Sequence, residues 1–196
     1  TSQSYSLGLV IQPGDRLYLT IDAYRIDIDD RIVYSSNIAS TAAARALLTG
    51  LGLSPVDRFA YFTNALDTTT EGVDLVATYS VPLAASALAL TAGYSYNQTE
   101  ITRRSDSPGV FADLGITTAL IGRDELGRIE ESFPEDKGIL GASWTGERWS
   151  LGVNATRYGG FTVRNASGAA RDQAYGDQWV VDVSASFRPD ARWTLT

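Results

Sequence analysis

The 196-residue chain contains no cysteine and no histidine. Without cysteine there is neither a disulfide framework nor a thiolate metal site. With histidine missing as well, Ser-His-Asp and Cys-His catalysis, zinc centres of the usual donor set and histidine-ligated haem are all excluded. No cofactor and no metal site is expected. Basic charge is also scarce: 16 lysines and arginines stand against 23 acidic residues, a net charge of -7. That argues against nucleic acid as a partner, because phosphate binding draws on basic patches. The acidic surplus reads as solvation of exposed loops. Long apolar runs are missing too, and no window approaches the roughly 18 consecutive apolar residues of a membrane helix. A spanning strand needs only about 9 to 11 residues, half of them apolar, so a mean hydropathy of -0.08 leaves a membrane protein open.

What the chain does have is alternation. In the stretch from Tyr61 to Ser80, Val73, Leu75, Ala77 and Tyr79 alternate with Gly72, Asp74, Val76, Thr78 and Ser80. Past a turn at Val81 to Ala85, Leu88, Leu90, Ala92, Tyr94 and Tyr96 alternate with Ala89, Thr91, Gly93, Ser95 and Asn97. Period two predicts strands with one apolar face and one small, polar face. A soluble sandwich would crowd its inner face with large aliphatic residues and place close turns at both ends.

Six further strands follow the same rule. Tyr5 to Ile11 and Leu17 to Ala23 flank a Pro13-Gly14-Asp15 turn. Lys137 to Trp144 and Trp149 to Thr156 flank Thr145-Gly146-Glu147-Arg148, and Trp179 to Phe187 turns through Arg188 to Arg192 into Trp193 to Thr196. Three connections are long: about Asp29 to Arg58, Thr99 to Asp136 and Gly159 to Asp177. The first holds a predicted helix over Ser40 to Leu48, with a Ser or Thr cap and Gly50 as its stop. The second holds a predicted helical turn near Phe111 to Leu114. Short and long connections alternate, which sends every tight turn to one end of an up-and-down sheet and every loop to the other. The fold class is therefore all-β, an antiparallel transmembrane β-barrel segment of about eight strands with short periplasmic turns and long extracellular loops. Tyr79, Trp144, Trp149, Phe187 and Trp193 share the apolar parity beside short turns, as an aromatic girdle at the membrane interface would. Tyr5, Tyr94, Tyr96 and Trp179 form the opposite girdle.

Three blocks carry a family likeness: Asp22-Ala23-Tyr24-Arg25-Ile26-Asp27-Ile28-Asp29-Asp30-Arg31-Ile32, Tyr61 through Leu75 with Thr68-Thr69-Thr70-Glu71-Gly72-Val73-Asp74 at its centre, and Trp179 through Phe187. They resemble the late barrel strands of TonB-dependent outer-membrane receptors, and the middle block is the most specific. The resemblance implies a 22-stranded barrel with an N-terminal plug that imports a scarce ligand, most often a ferric siderophore, using energy passed by TonB. Residues 1–196 would then be part of the C-terminal half of the barrel wall. The plug, the TonB-contacting region and the remaining strands are expected outside this stretch, which starts without an initiator methionine and stops inside an alternating run. The partners implied are outer-membrane lipid, the protein's own plug and remaining strands, TonB and a small-molecule ligand.

No catalytic constellation is present, so no enzyme is expected. Asp22, Asp74, Asn154 and Asp182 are polar groups on the lumen parity, expected to bond neighbouring strands or the plug. Tyr24 with the adjoining Arg25, Asn97 and Tyr158 are candidate ligand contacts near the long-loop end. Arg103 and Arg104, with Arg123 and Arg128 in the same connection, are candidates for attracting an anionic chelate. Two other classes fit the alternation: a small barrel serving as a structural anchor, and a passive porin or autotransporter barrel. A diffusion pore tends to carry charge ladders inside, whereas the lumen positions here are mostly Ser, Thr, Gly and Asn.

Overall fold

The computed structural model describes residues 1–190 and 192–196. In chain order the elements are β1 (Ser2–Gly14), β2 (Leu17–Tyr34), β3 (Ile38–Ala39), α1 (Ala42–Gly50), β4 (Arg58–Phe59), β5 (Phe62–Leu83), β6 (Ser86–Arg104), α2 (Gly109–Asp113), α3 (Arg123–Glu130), β7 (Asp136–Thr145), β8 (Trp149–Tyr158), β9 (Phe161–Val163), β10 (Gln173–Tyr175), β11 (Gln178–Asp190) and β12 (Trp193–Leu195). Eight strands form one sheet in the order β1-β2-β5-β6-β7-β8-β11-β12. Every neighbouring pair is antiparallel. The short pairs β3/β4 and β9/β10 lie within long connections.

Register confirms the expected parity. Leu19, Ala77, Ala92, Leu140, Ala155 and Val181 stand directly opposite one another across six strands. Large side chains on this face are exposed, Leu7 by 78% and Val183 by 77%, so the sheet holds no core of its own. Trp149 and Phe187, two of the aromatic residues expected beside the short turns, are register partners on this face, with ring centroids 4.5 Å apart. The opposite face is less uniformly polar than its composition implies. One row reads Val10, Thr20, Val76, Gly93, Ile139, Thr156, Val180 from strand to strand, an apolar band across an otherwise polar wall.

β2, β5 and β6, with 18, 22 and 19 residues, are about twice the length a bilayer requires. The long connections were expected to start near Asp29 and Thr99, yet pairing continues to Tyr34 and Arg104. Polar alternation there hides the strand signal, while β-branched residues and cross-strand bonds sustain the ladder; the Thr70 and Thr99 hydroxyls meet at 2.9 Å. Asp30, with φ 53°, marks a bulge in β2, and its amide donates to Asp67 Oδ1 at 2.8 Å.

The buried hydrophobic cluster sits in the loops. Ile38 and Ala44 from the first long connection meet Phe111, Ile116, Leu120 and Ile121 from the second, over Ala65 and Leu66 of β5. Helix α1 begins where the sequence predicts, Thr41 Oγ1 accepting from the Ala44 amide. Its stop is not Gly50, which lies inside the helix; Gly52, at φ 72°, takes the left-handed position that glycine tolerates. The predicted turn near Phe111 is α2. Helix α3 was not foreseen, because in its eight residues, RDELGRIE, Leu126 and Ile129 are the two large apolar side chains, too few to show a period; packing holds it, both residues lying against the buried cluster and Gly127 admitting the Arg164 side chain, whose Cδ would lie 2.6 Å from any Cβ at that position.

Candidate functional site

On the polar face, Tyr24 and Asn97 flank Gly72 in register. Asn97 Nδ2 donates to the Tyr24 hydroxyl at 2.6 Å, and the Tyr24 ring lies where a Cβ on residue 72 would be. Any side chain at position 72 would have to displace that ring. One row toward the short turns, Asp22 and Asp74 stand directly opposite each other, followed by Ser95, Lys137 and Tyr158. Lys137, the chain's single lysine, has its Nζ 5.2 Å from the centre of the Tyr158 ring, a cation–π distance. Asp182 is remote from that pair and is the register partner of Asn154. The structure thus joins Tyr24 to Asn97, Asp22 to Asp74 and Asn154 to Asp182, and sets Tyr158 in the row of the two aspartates.

The arginines are placed differently from expectation. Arg25 does not share the face of Tyr24: it stands on the apolar side, between Tyr5 and Glu71 in register, and pairs with Asp27 at 3.0 Å and Glu71 at 2.8 Å. Alternation alone dictates this, since adjacent strand residues point to opposite faces. Arg103 is held by Asp67 at 2.5 Å and Asp30 at 2.8 Å. Arg123 grips Asp172 with two nitrogens, at 2.5 and 2.7 Å, and Arg128 pairs with Glu125. Of the four arginines in the second long connection and its approach, Arg104 alone has no ion pair among the described residues. It is exposed, in register with Leu66 at the edge of the loop cluster.

The partners Asp67 and Asp172 of these arginines, and the pair of Arg164 with Glu131, escape sequence reading. Together they weld the three long connections. Ser36 N donates to Leu120 O at 2.9 Å and Thr41 Oγ1 to Leu114 O at 2.6 Å. Arg123 Nη1 also donates to Asn165 O at 2.6 Å, Arg164 pairs with Glu131, and Thr162 N donates to Glu131 O at 3.0 Å. The Arg123 guanidinium, with help from the Asn165 amide, pulls the Asp172 carboxyl down to about 2, and Asp172 in turn raises the pKa of Arg123. Glu131 raises that of Arg164. These loops form one cap over the long-loop end.

No cluster of three or more His, Cys, Asp or Glu able to hold a metal ion exists among the described residues. The arrangement is a wall with hydrogen-bonding groups on one face, apolar groups on the other and a capped end.

The sequence profile of the family described as TonB dependent receptor-like, beta-barrel matches residues 1–196. The chain belongs to the TonB dependent receptor-like β-barrel family. Comparison with curated proteins finds no match. Among solved structures, the outer membrane transporter YddB from Escherichia coli is similar in fold, with a TM-score of 0.60 and 11% sequence identity over 96% of this chain. The chain spans about a quarter of that transporter's length, 26%. In a TonB dependent receptor-like barrel the apolar face meets lipid and the polar face lines the lumen. Tyr24, Asn97, Asp22, Asp74, Asn154, Tyr158 and Asp182 stand on the polar face of the sheet, and Arg25 stands on the apolar one. The short turns lie at the periplasmic end and the capped loops at the extracellular end.

Proposed function

We propose that this chain is part of the barrel wall of an outer-membrane receptor that actively imports a scarce small ligand, a ferric siderophore or similar chelate first among the candidates. The match of the family profile to all of residues 1–196 carries the reading. Import energised through TonB, a plug filling the lumen and further barrel strands belong to parts of the protein outside this stretch. Ligand recognition falls to the extracellular cap and the lumen groups beneath it: Tyr24 with Asn97, then Tyr158, with Arg104 as the arginine left to meet an anionic chelate. Arg103, clamped by two carboxylates, serves the wall.

Uptake of a radiolabelled ferric-chelate panel by cells carrying the full-length receptor tests this. Saturable uptake that stops on adding an uncoupler is expected, because energy for import comes from the inner membrane. Uptake that rises linearly with concentration and survives the uncoupler would make the barrel a passive pore. Replacing the third connection, residues 159–177, with a short linker should weaken ligand binding while leaving heat-modifiability intact. Unaltered binding after that change and after Arg104→Gln and Tyr24→Ala would move recognition to the plug or to the rest of the barrel.

A further inference from the structure

We propose that the third long connection, residues 159–177, is a hinged arm latched by arginine pairs, which screening by salt releases while the apolar part of the cap stays closed. The arm is a unit in itself. Strand β9 pairs with β10 in a sheet of their own, and the Phe161 and Tyr175 rings stack with centroids 4.8 Å apart. The buried cluster that joins the first and second connections, together with the side chains packed against it, contains no residue of 159–177 among the described residues. Apolar burial in that cluster therefore binds two connections to each other and leaves out the third.

What ties the arm down is charge and a few hydrogen bonds, all to α3 and the residue that ends it. Arg123 donates to both oxygens of Asp172, at 2.5 and 2.7 Å, and to Asn165 O at 2.6 Å. Arg164 reaches back to Glu131 and lies 3.8 Å from Glu130, and Thr162 N donates to Glu131 O at 3.0 Å. These side chains are 20% to 39% exposed, so mobile ions reach them and weaken the latch, whereas burial of Leu66 and its neighbours does not depend on screening. The feet of the arm are anchored separately: Arg157 pairs with both Asp136 and Asp177, and Gly160 N donates to Asp177 Oδ1 at 3.1 Å. Gly160 and Gly176, just above those feet, are small residues able to absorb a change of backbone angle. The sheet is stepped at this point. In the row Ser95, Lys137, Tyr158, Gln178, strands β8 and β11 end and β7 goes one residue higher, whereas β6 continues to Arg104 and the β2/β5 pairing to Tyr34 and Phe62. The arm rises from the low side, so its release opens the cap there and leaves the tall side shut.

Hydrogen exchange in the full-length receptor at low salt and at about 1 M sodium chloride, where the screening length is about 3 Å, tests this. The Thr162 amide reports docking of the arm, the amides shared by β9 and β10 report the arm itself, and the Ser36 and Ile116 amides report the apolar part of the cap. In high salt Thr162 should exchange about tenfold faster, the combined worth of two clusters of partly exposed ion pairs, while the other two sets hold. Arg123→Gln should speed Thr162 exchange already at low salt and flatten its salt dependence, and adding Asp172→Asn should speed it no further, since the two side chains act as one pair. Cysteines introduced by Gly127→Cys and Arg164→Cys would place their β carbons 2.8 Å apart before relaxation, against a mean of about 3.8 Å in disulfides; once oxidised they should keep Thr162 protected at both salt concentrations, and reduction should free it. Thr162 exchange that ignores salt, or that rises in step with Ser36 and Ile116, would overturn the separate arm. Loss of the β9/β10 amides together with Thr162 would overturn it as well, by showing that the hairpin unravels instead of swinging.

Discussion

Leu66 is 0% exposed, lies on β5 and is covered by side chains from both the first and the second long connection. Replacing it with alanine removes three carbon groups, about 2.4 kcal/mol of transfer free energy at roughly 0.8 kcal/mol each. A partly relaxed cavity adds to that, giving about 3 kcal/mol, at the lower end of measured Leu→Ala losses. At about 1.4 kcal/mol per tenfold change, opening of the cap should become about 100-fold more frequent. Hydrogen exchange in the full-length receptor reads this directly. The Ser36 amide bonds to Leu120 O, the Ser40 amide to Asp57 O and the Ile116 amide to Phe111 O, so reporters exist on both connections. Protection should fall together at all three, while amides of β6 between Leu88 and Tyr94 keep theirs. Leu51→Ala, at a residue 67% exposed, should change protection by less than about 0.5 kcal/mol. Loss of protection in one connection alone would show that the loops move separately and refute the single cap.

Other outcomes follow from face and charge. Leu90→Arg, on the lipid face, should cost about 2 to 4 kcal/mol in a folding titration of the full-length receptor, and Thr91→Arg, facing the lumen, far less; equal costs would reject the assigned faces. Gly72→Val should destabilise by about 1 to 3 kcal/mol by displacing the Tyr24 ring, and adding Tyr24→Ala should restore much of the loss; no rescue would mean the contact is not the cause. The folded-state pKa of Asp172, about 2, lies below the ordinary carboxylate value of about 3.9, so its hold on Arg123 is complete above about pH 4 and is lost as pH falls toward 2. Proteolysis of residues 159–177 should therefore rise through that window in the native receptor. Asp172→Asn should be susceptible at every pH, and an unchanged pH profile in that variant would assign the effect elsewhere. Residues 1–196 expressed alone should fail to form a heat-modifiable monomer, because β1 and β12 are unpaired edges of the sheet whose backbone groups would each cost several kcal/mol in lipid.

The faces of β5 and β6 are legible in the alternation from Gly72 to Ser80 and from Leu88 to Asn97, because a bilayer on one side and water on the other force period two on the side chains. Above Asp27 that contrast ends. Asp29, Asp30 and Arg31 read as a loop, although the ladder persists through Tyr34 on bonds that any side chain allows. Either Gly50 or Gly52 could have ended α1, and only the backbone angle chooses between them. Tyr24 and Asn97 were legible as neighbours on one face but not as partners, since register is absent from a single sequence. The arginine clamps were hidden for the same reason: Arg103 and Asp67 are 36 residues apart, and Arg123 and Asp172 are 49.

Glycine and polar residues alternate across the inner wall in a way that governs its texture. Gly8 lies under Asp22, Gly72 under Tyr24, Gly141 under Asn154 and Gly152 under Ser184, each glycine directly opposite its polar partner. A methyl group on Gly141 would meet Asn154 Oδ1 at 2.7 Å, and one on Gly152 would meet Ser184 Oγ at 2.6 Å. The polar side chains therefore lie down along the strand pair instead of standing into the lumen. Such a surface has low relief: a body sliding past it trades one hydrogen bond for the next without climbing over upright side chains. In the import receptor proposed above, that smoothness would lower the friction met by a plug moving past this wall.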